Sequence, residues 1–356
     1  MILIDTQKEE FSKLRDIRVF GRISHDDRFN GNLLVIGLGG VGSRTVCNLK
    51  GMMVDDIIPE DNIHFLMIDS DIPEMEQTIE DSKEHVGFNA LEVLSIYRPN
   101  IENILADGIK KNPVHPNLAN WMDADFPDVT VTKDGAHGNR QIGRLMFSNA
   151  YEDIRMLLFD RLEEIHDKAN GNWMDVIIVS SLSGGTGSGI LSDLTYNIRA
   201  YGKAKKWANL RIGGCLLMPD VIFGNKSVTE DPELMFRMMA NGCAALKEVD
   251  YYMKLSEKDD AYIFESTTHK LVIRENLFDA CMLVSGKKDS QGYLPEGTVL
   301  MDTASFLYKL ACNKYIGNND VNDDRKLLRD VFFDNEKYSV TNWKMEHSDS
   351  EIATAN

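Results

Sequence analysis

Apolar residues in this chain come in short unbroken runs, each followed by a stretch with apolar positions three and four apart. Leu33 to Ile36 reads as a buried strand, Gly37 to Gly42 as a turn, and Ser43 onward as helix. A second apolar run, His64 to Ile68, closes what the pattern predicts to be a right-handed βαβ unit. Prolines at 73, 99, 113, 116 and 127 break any period between residues 72 and 134, and no element is assigned there. From Gln141 to about His166, residues Ile142, Leu145, Met146, Ile154, Leu157, Leu158 and Leu162 fall at helical spacing.

The rhythm then repeats. Met174 to Val179 predicts a central strand, and a helix beyond Gly189 carries Ile190, Leu191, Leu194 and Ile198 on one face. A strand over Ile212–Met218, a helix over Pro232 to about Met253, an apolar run Ala280–Val284 and a helix over Thr298 to Tyr315 continue it. The fold class this implies is α/β, a mostly parallel, three-layer Rossmann-like sheet. The expected organisation is a leader helix and linker over 1–30, one α/β domain over 31–297, a long helix over 298–317, and an acidic loop with a fraying polar tail over 318–356.

Composition narrows the function. With 43% apolar residues the 356-residue chain has ample core. A net charge of −17 gives no support to nucleic-acid or membrane-surface binding. The five cysteines (Cys47, Cys215, Cys243, Cys281, Cys312) form no CxxC pair, which argues against a zinc site or a disulfide framework. No segment reads as a signal peptide or membrane span, so the expected setting is the cytoplasm. Eight histidines show no HExxH spacing, and the 17 methionines, Met235, Met238 and Met239 among them, fit apolar faces.

Gly37-Leu-Gly-Gly-Val-Gly42 matches GxGxxG between strand and helix, where backbone amides meet phosphate. Alone it fits a Rossmann enzyme equally well, either NAD-dependent or adenylating, with Asp69 or Asp71 as the acidic strand-end residue. It is not a Walker A loop, since Ser43-Arg44 stands where Lys-Ser/Thr would be. The run Ser183-Gly-Gly-Thr-Gly-Ser-Gly189 has fewer uses. Its glycines, Gly184, Gly185, Gly187 and Gly189, allow close approach to an anion, while Ser183, Thr186 and Ser188 donate without adding charge. A methyl at Gly185 or Gly187 is therefore expected to block phosphate.

Ser183 to Gly189 resembles the GGGTGSG signature of the tubulin/FtsZ superfamily, with serine for the first glycine. Gly37 to Ser43, including Gly39, Gly40 and Val41, resembles the family's first nucleotide loop. Phe65 to Asp71, ending in Asp69, Ser70 and Asp71, is similar to its second strand and loop. Gly135 to Arg144, with Ala136, His137, Gly138 and Asn139, is similar to the loop that senses the γ-phosphate. The resemblance covers about residues 32 to 315 and is nearest the large bacterial tubulin-like proteins. It implies GTP with Mg²⁺, bound at those loops, and hydrolysis completed when a second copy docks head to tail. The residues matching the family's catalytic acids are Asp320 and Asp323 in Asn318-Asn-Asp-Val-Asn-Asp323. Implied partners are further copies of the chain and other bacterial proteins. A non-catalytic, nucleotide-dependent scaffold is the remaining alternative. The base-reading asparagine and stacking aromatic have no clear counterpart between Ser285 and Tyr315. Where the family continues with a second domain, 33 residues follow Asp323 here, so the expectation is either a fragment or a short relative.

Overall fold

A computed structural model of the chain describes residues 32–55, 63–82, 86–106, 121–122, 133–266, 269–287, 292–312, 315–316, 326–333, 341–344 and 351–355. The expected leader segment and the two acids Asp320 and Asp323 lie outside the described residues.

Strand β1 (Asn32–Leu38) runs straight into helix α1 (Gly39–Asp55), followed by β2 (Ile63–Asp69) and α2 (Ile72–Ser82). The unassigned stretch contributes β3 (Val93–Ser95) and α3 (Ile101–Ala106). Then come α4 (Arg140–Ala169), β4 (Met174–Ser181), α5 (Thr186–Ala204) and β5 (Leu210–Leu217), matching the predicted alternation to within a few residues. A short helix α6 (Lys226–Thr229) precedes α7 (Pro232–Tyr252). An unforeseen hairpin, β6 (Tyr262–Glu265) with β7 (Lys270–Ile273), comes before β8 (Ala280–Ser285) and α8 (Glu296–Ala311). The described chain ends with β9 (Tyr315–Ile316), β10 (Lys326–Leu327), α9 (Leu328–Phe333), β11 (Thr341–Lys344) and β12 (Glu351–Ala355).

The main sheet has the order β11-β12-β8-β5-β4-β1-β2-β3. Its six strands from β8 to β3 are all parallel. β12 and β11 add antiparallel at the β8 edge. The tail expected to fray therefore contains two paired strands, because an open β8 edge offers a row of unsatisfied main-chain groups that an extended segment can complete.

Side chains of β1 alternate between two cores. Leu34, Ile36 and Leu38 pack with α4 and α5, whereas Leu33 and Val35 pack with α1 and α8. Both faces are covered, which is why the strands read as continuous apolar runs rather than alternating ones.

At the end of the sheet where β4 begins, Asp175 is buried with two arginines. It accepts from Arg211 Nε at 2.7 Å and Nη2 at 3.0 Å, and from Arg329 Nη1 of α9 at 3.2 Å. The Arg211 guanidinium also lies 4.6 Å from the Trp173 ring and 4.5 Å from that of Phe333. This ties α9 to the start of β4. Asp175→Ala leaves two buried guanidinium groups without their carboxylate and should lower unfolding free energy by about 3–5 kcal/mol, read from the midpoint of urea denaturation.

Candidate functional site

The β1 and β4 loops flank the point where strand order reverses, with β2 and β3 to one side and β5 and β8 to the other. In open parallel sheets the crevice outside the strand C-termini at such a point is where ligands bind. Leu38 passes directly to Gly39, whose φ of 69° favours glycine. A Cβ on Gly42 would stand 2.5 Å from the Val179 carbonyl oxygen, and one on Gly187 would stand 2.6 Å from that of Leu38. These glycines press helix starts against strands, so their role is packing.

Gly185 behaves the same way, its Cβ position lying 2.7 Å from Asn139 N. Methyl groups at Gly185 and Gly187 would thus collide with protein backbone before reaching any ligand, which corrects the sequence expectation. Gly184 alone of the four glycines in this loop has nothing within 4 Å of a Cβ. It lines a cavity of about 370 Å³ together with Thr186.

Four loops meet at this cavity. The Ser70 and Thr186 hydroxyls are 2.5 Å apart, joining the β2 and β4 loops. Asp71 pairs with Asp134, drawing the third loop beside the second. Asn139 caps α4, accepting from Gln141 N at 3.0 Å and Ile142 N at 3.2 Å. Of the predicted residues, Gly39, Gly40, Val41, Asp69, Asp71, Ala136, His137, Gly138, Gly184, Gly185, Thr186 and Gly187 line the cavity. Gly37, Gly42, Ser43, Ser70, Asn139, Ser183, Ser188 and Gly189 support the loops from behind that lining.

Sequence reading missed the opposite rim. Arg44 Nη2 donates to Glu296 Oε1 at 2.8 Å and Asn225 Nδ2 to Glu296 Oε2 at 3.1 Å, and all three residues line the cavity. Glu296 was findable as the acid opening a helix after Pro295; Asn225 carries no sequence signal. Helix α7 grips two of the loops. Asn241 Nδ2 donates to Gly138 O at 2.7 Å and Ser183 O at 2.9 Å, and Arg237 Nη1 donates to His137 O at 3.2 Å.

Charge in the cavity is mostly negative. Asp69, Asp71, Glu74, Asp134 and Glu296 line it, with Arg44 as the one described guanidinium. Burial pushes the Asp69 carboxyl up to about 7, against the lowering effect of its bonds from the Asp71 and Ser70 amides. Its Oδ2 is buried without a partner. Burial also raises Glu74, opposed by Arg44. Among the described residues no group of three or more His, Cys, Asp or Glu side chains could hold a metal.

The arrangement defines an α/β protein with a cavity built from glycine loops at the switch point. The tubulin-like family model matches residues 34–339, and the chain belongs to that family. No curated protein matches the sequence. Among solved structures, CetZ from Methanosaeta thermophila strain DSM 6194 is 15% identical, covering 78% of this chain and 52% of its own, with a TM-score of 0.41. The GTPγS-form protofilament of TubZ from Bacillus thuringiensis serovar israelensis is 13% identical, with 83% and 60% covered and a TM-score of 0.44. CetZ2 from Haloferax volcanii, a GTPγS-bound protofilament, is 11% identical, with 79% and 58% covered and a TM-score of 0.42. The chain spans between half and two thirds of the length of these structures. Among the described residues no helix is long and apolar enough to cross a membrane.

Two outcomes follow from this geometry. Gly184→Ala should leave the melting temperature within a degree or so, whereas Gly185→Ala should destabilise by at least about 1–3 kcal/mol from overpacking; thermal and urea unfolding of both variants checks this. Asp69 has a folded-state value above its unfolded one, so the folded form holds the extra proton between about pH 4 and 7. Stability without ligand should therefore fall as pH rises through that window, by on the order of 3 kcal/mol, and Asp69→Asn should flatten the profile. Denaturation midpoints at pH 5 and pH 8 provide the comparison.

Proposed function

We propose that the protein binds GTP in the 370 Å³ cavity and hydrolyses it when copies associate head to tail. The observation that carries the reading is the meeting of four strand-end loops around Gly184 and Thr186, where the starts of α1 and α5 supply amides and dipoles for phosphate. Membership of the tubulin-like family supports the same ligand and the same self-association. The volume lies within the roughly 300–1,000 Å³ of small-molecule sites.

At the far rim, Glu296 offers carboxylate oxygens where a base would lie. Guanine presents two adjacent donors, N1–H and N2–H, that a carboxylate accepts, and adenine lacks the second. Arg44 and Asn225 hold the Glu296 side chain in place. Mg²⁺, bound by the phosphates, would offset their charge against the lining carboxylates.

Hydrolysis requires residues from elsewhere. The flanks of the acidic segment, β9 and β10, pair with each other, and α9 beside them is fastened to the start of β4 through Arg329 and Asp175. The other end of β4, Ser181, lines the cavity, so the strand's eight residues, roughly 25 Å at 3.3 Å each, separate the two. By the family resemblance, Asp320 and Asp323 of one copy would serve the cavity of the next, orienting water for attack on the terminal phosphate.

Calorimetric titration with GTP, ATP and NAD, followed by phosphate release at increasing protein concentration, tests the reading. GTP should bind in preference, with turnover rising faster than linearly in protein. Asp323→Ala should lower turnover about 10²–10⁴-fold without weakening GTP, and Glu296→Gln should cut the GTP-over-ATP preference by about tenfold. Turnover strictly proportional to protein would refute the shared site, and NAD binding in place of GTP would return the chain to the dinucleotide enzymes.

A further inference from the structure

A second cavity of about 210 Å³ lies behind the glycine loop, between the first turns of α4 and α5 and the end of α7. It is distinct from the first and is lined by charged and aromatic side chains. Two ion pairs frame it. Arg140 donates to both oxygens of Glu248, and Arg144 donates through Nε at 2.8 Å and Nη2 at 3.1 Å to the buried Asp193. The Arg144 guanidinium lies 4.7 Å from the Trp121 ring centroid, and the Tyr262 hydroxyl donates to Asp193.

What the pairs leave over is a surplus of donors. Among the described residues Arg144 Nη1 makes no hydrogen bond, and neither does the hydroxyl of Ser192 or of Tyr252, while each oxygen of Glu248 accepts from Arg140. Ser188, also in the lining, is 3% exposed and its hydroxyl is buried without a partner. A built cavity with unmatched donors awaits acceptors. The two ion pairs cancel, so there is no net charge to hold a dianion, and a monoanion fits better. The volume is below the roughly 300–1,000 Å³ of drug-sized ligands, and the Trp121 and Tyr252 rings supply walls for a small apolar body.

We propose that this cavity binds a carboxylate carried on an amino-acid-sized body, whether a free acid or an acidic side chain of a peptide. Arg144 and the Ser192 and Tyr252 hydroxyls hold the carboxylate. Ser188 and Gly189 sit in this wall, and Gly184 and Thr186 of the same loop line the first cavity.

The test is calorimetric titration of the full chain, free of nucleotide, with sodium L-glutamate, L-glutaminamide, capped Ala-Glu-Ala and Ala-Gln-Ala peptides, and inorganic phosphate. At least one of the two carboxylates should bind saturably and at least tenfold more tightly than its amide counterpart or phosphate. The better of the two identifies the source. Tyr252→Phe and Ser192→Ala should each weaken it about two- to tenfold, the range for one hydrogen bond, and Ser192→Phe, filling the cavity, should abolish it at unchanged melting temperature. Absence of saturable binding by either carboxylate overturns the proposal. So does equal binding of the amide counterpart, tighter binding of phosphate, or an unaffected Ser192→Phe variant. None of these readouts involves GTP, so failure here and failure of the nucleotide reading are separate results.

Discussion

Two helices begin in direct contact with the strands they follow, and that contact is possible only where no Cβ intervenes. At Gly42 and Gly187 the nearest atoms to a methyl would be carbonyl oxygens of β4 and β1, groups already committed to the sheet and unable to retreat. The starts of α1 and α5 are thereby drawn together across the switch point. The Ser70–Thr186 hydroxyl contact and the docking of the third loop against Asp71 both depend on that closeness. Glycine serves chiefly to bring backbone to backbone, and room for a ligand at Gly184 is the result.

A cavity framed by five carboxylates is a poor host for an anion on charge alone, and the chain as a whole carries −17. Apart from Arg44, which is paired with Glu296, what it offers an anion is neutral: amides at two helix starts and the Thr186 hydroxyl. Such groups act through direction and short range, so they stabilise a phosphate only when it is correctly seated. Asp69, held partly protonated by its burial, reduces the local repulsion without placing a cation there.

The sheet and its glycine loops are legible in the sequence because their signals are local. An unbroken run such as Met174 to Ser181 is a strand buried on both faces, and four glycines in seven residues have few other uses. The rim formed by Arg44, Asn225 and Glu296 is not legible, since its members lie 252 and 71 positions apart and meet only after α8 has packed on α1. The β6–β7 hairpin is hidden for a different reason. Tyr262 and Phe264 face the core while Ile263 and Val272 are exposed, so its outer face is apolar too and no alternation appears. Between residues 72 and 134 the elements β3 and α3 are three and six residues long, too short for a period to emerge.

The amide nitrogen of Asn241 holds the carbonyls of Gly138 and Ser183 at once, and Arg237, one turn earlier on α7, holds His137. A single side chain bonded to both loops ties their positions to the same point of α7. A displacement of that helix would therefore move both loops together.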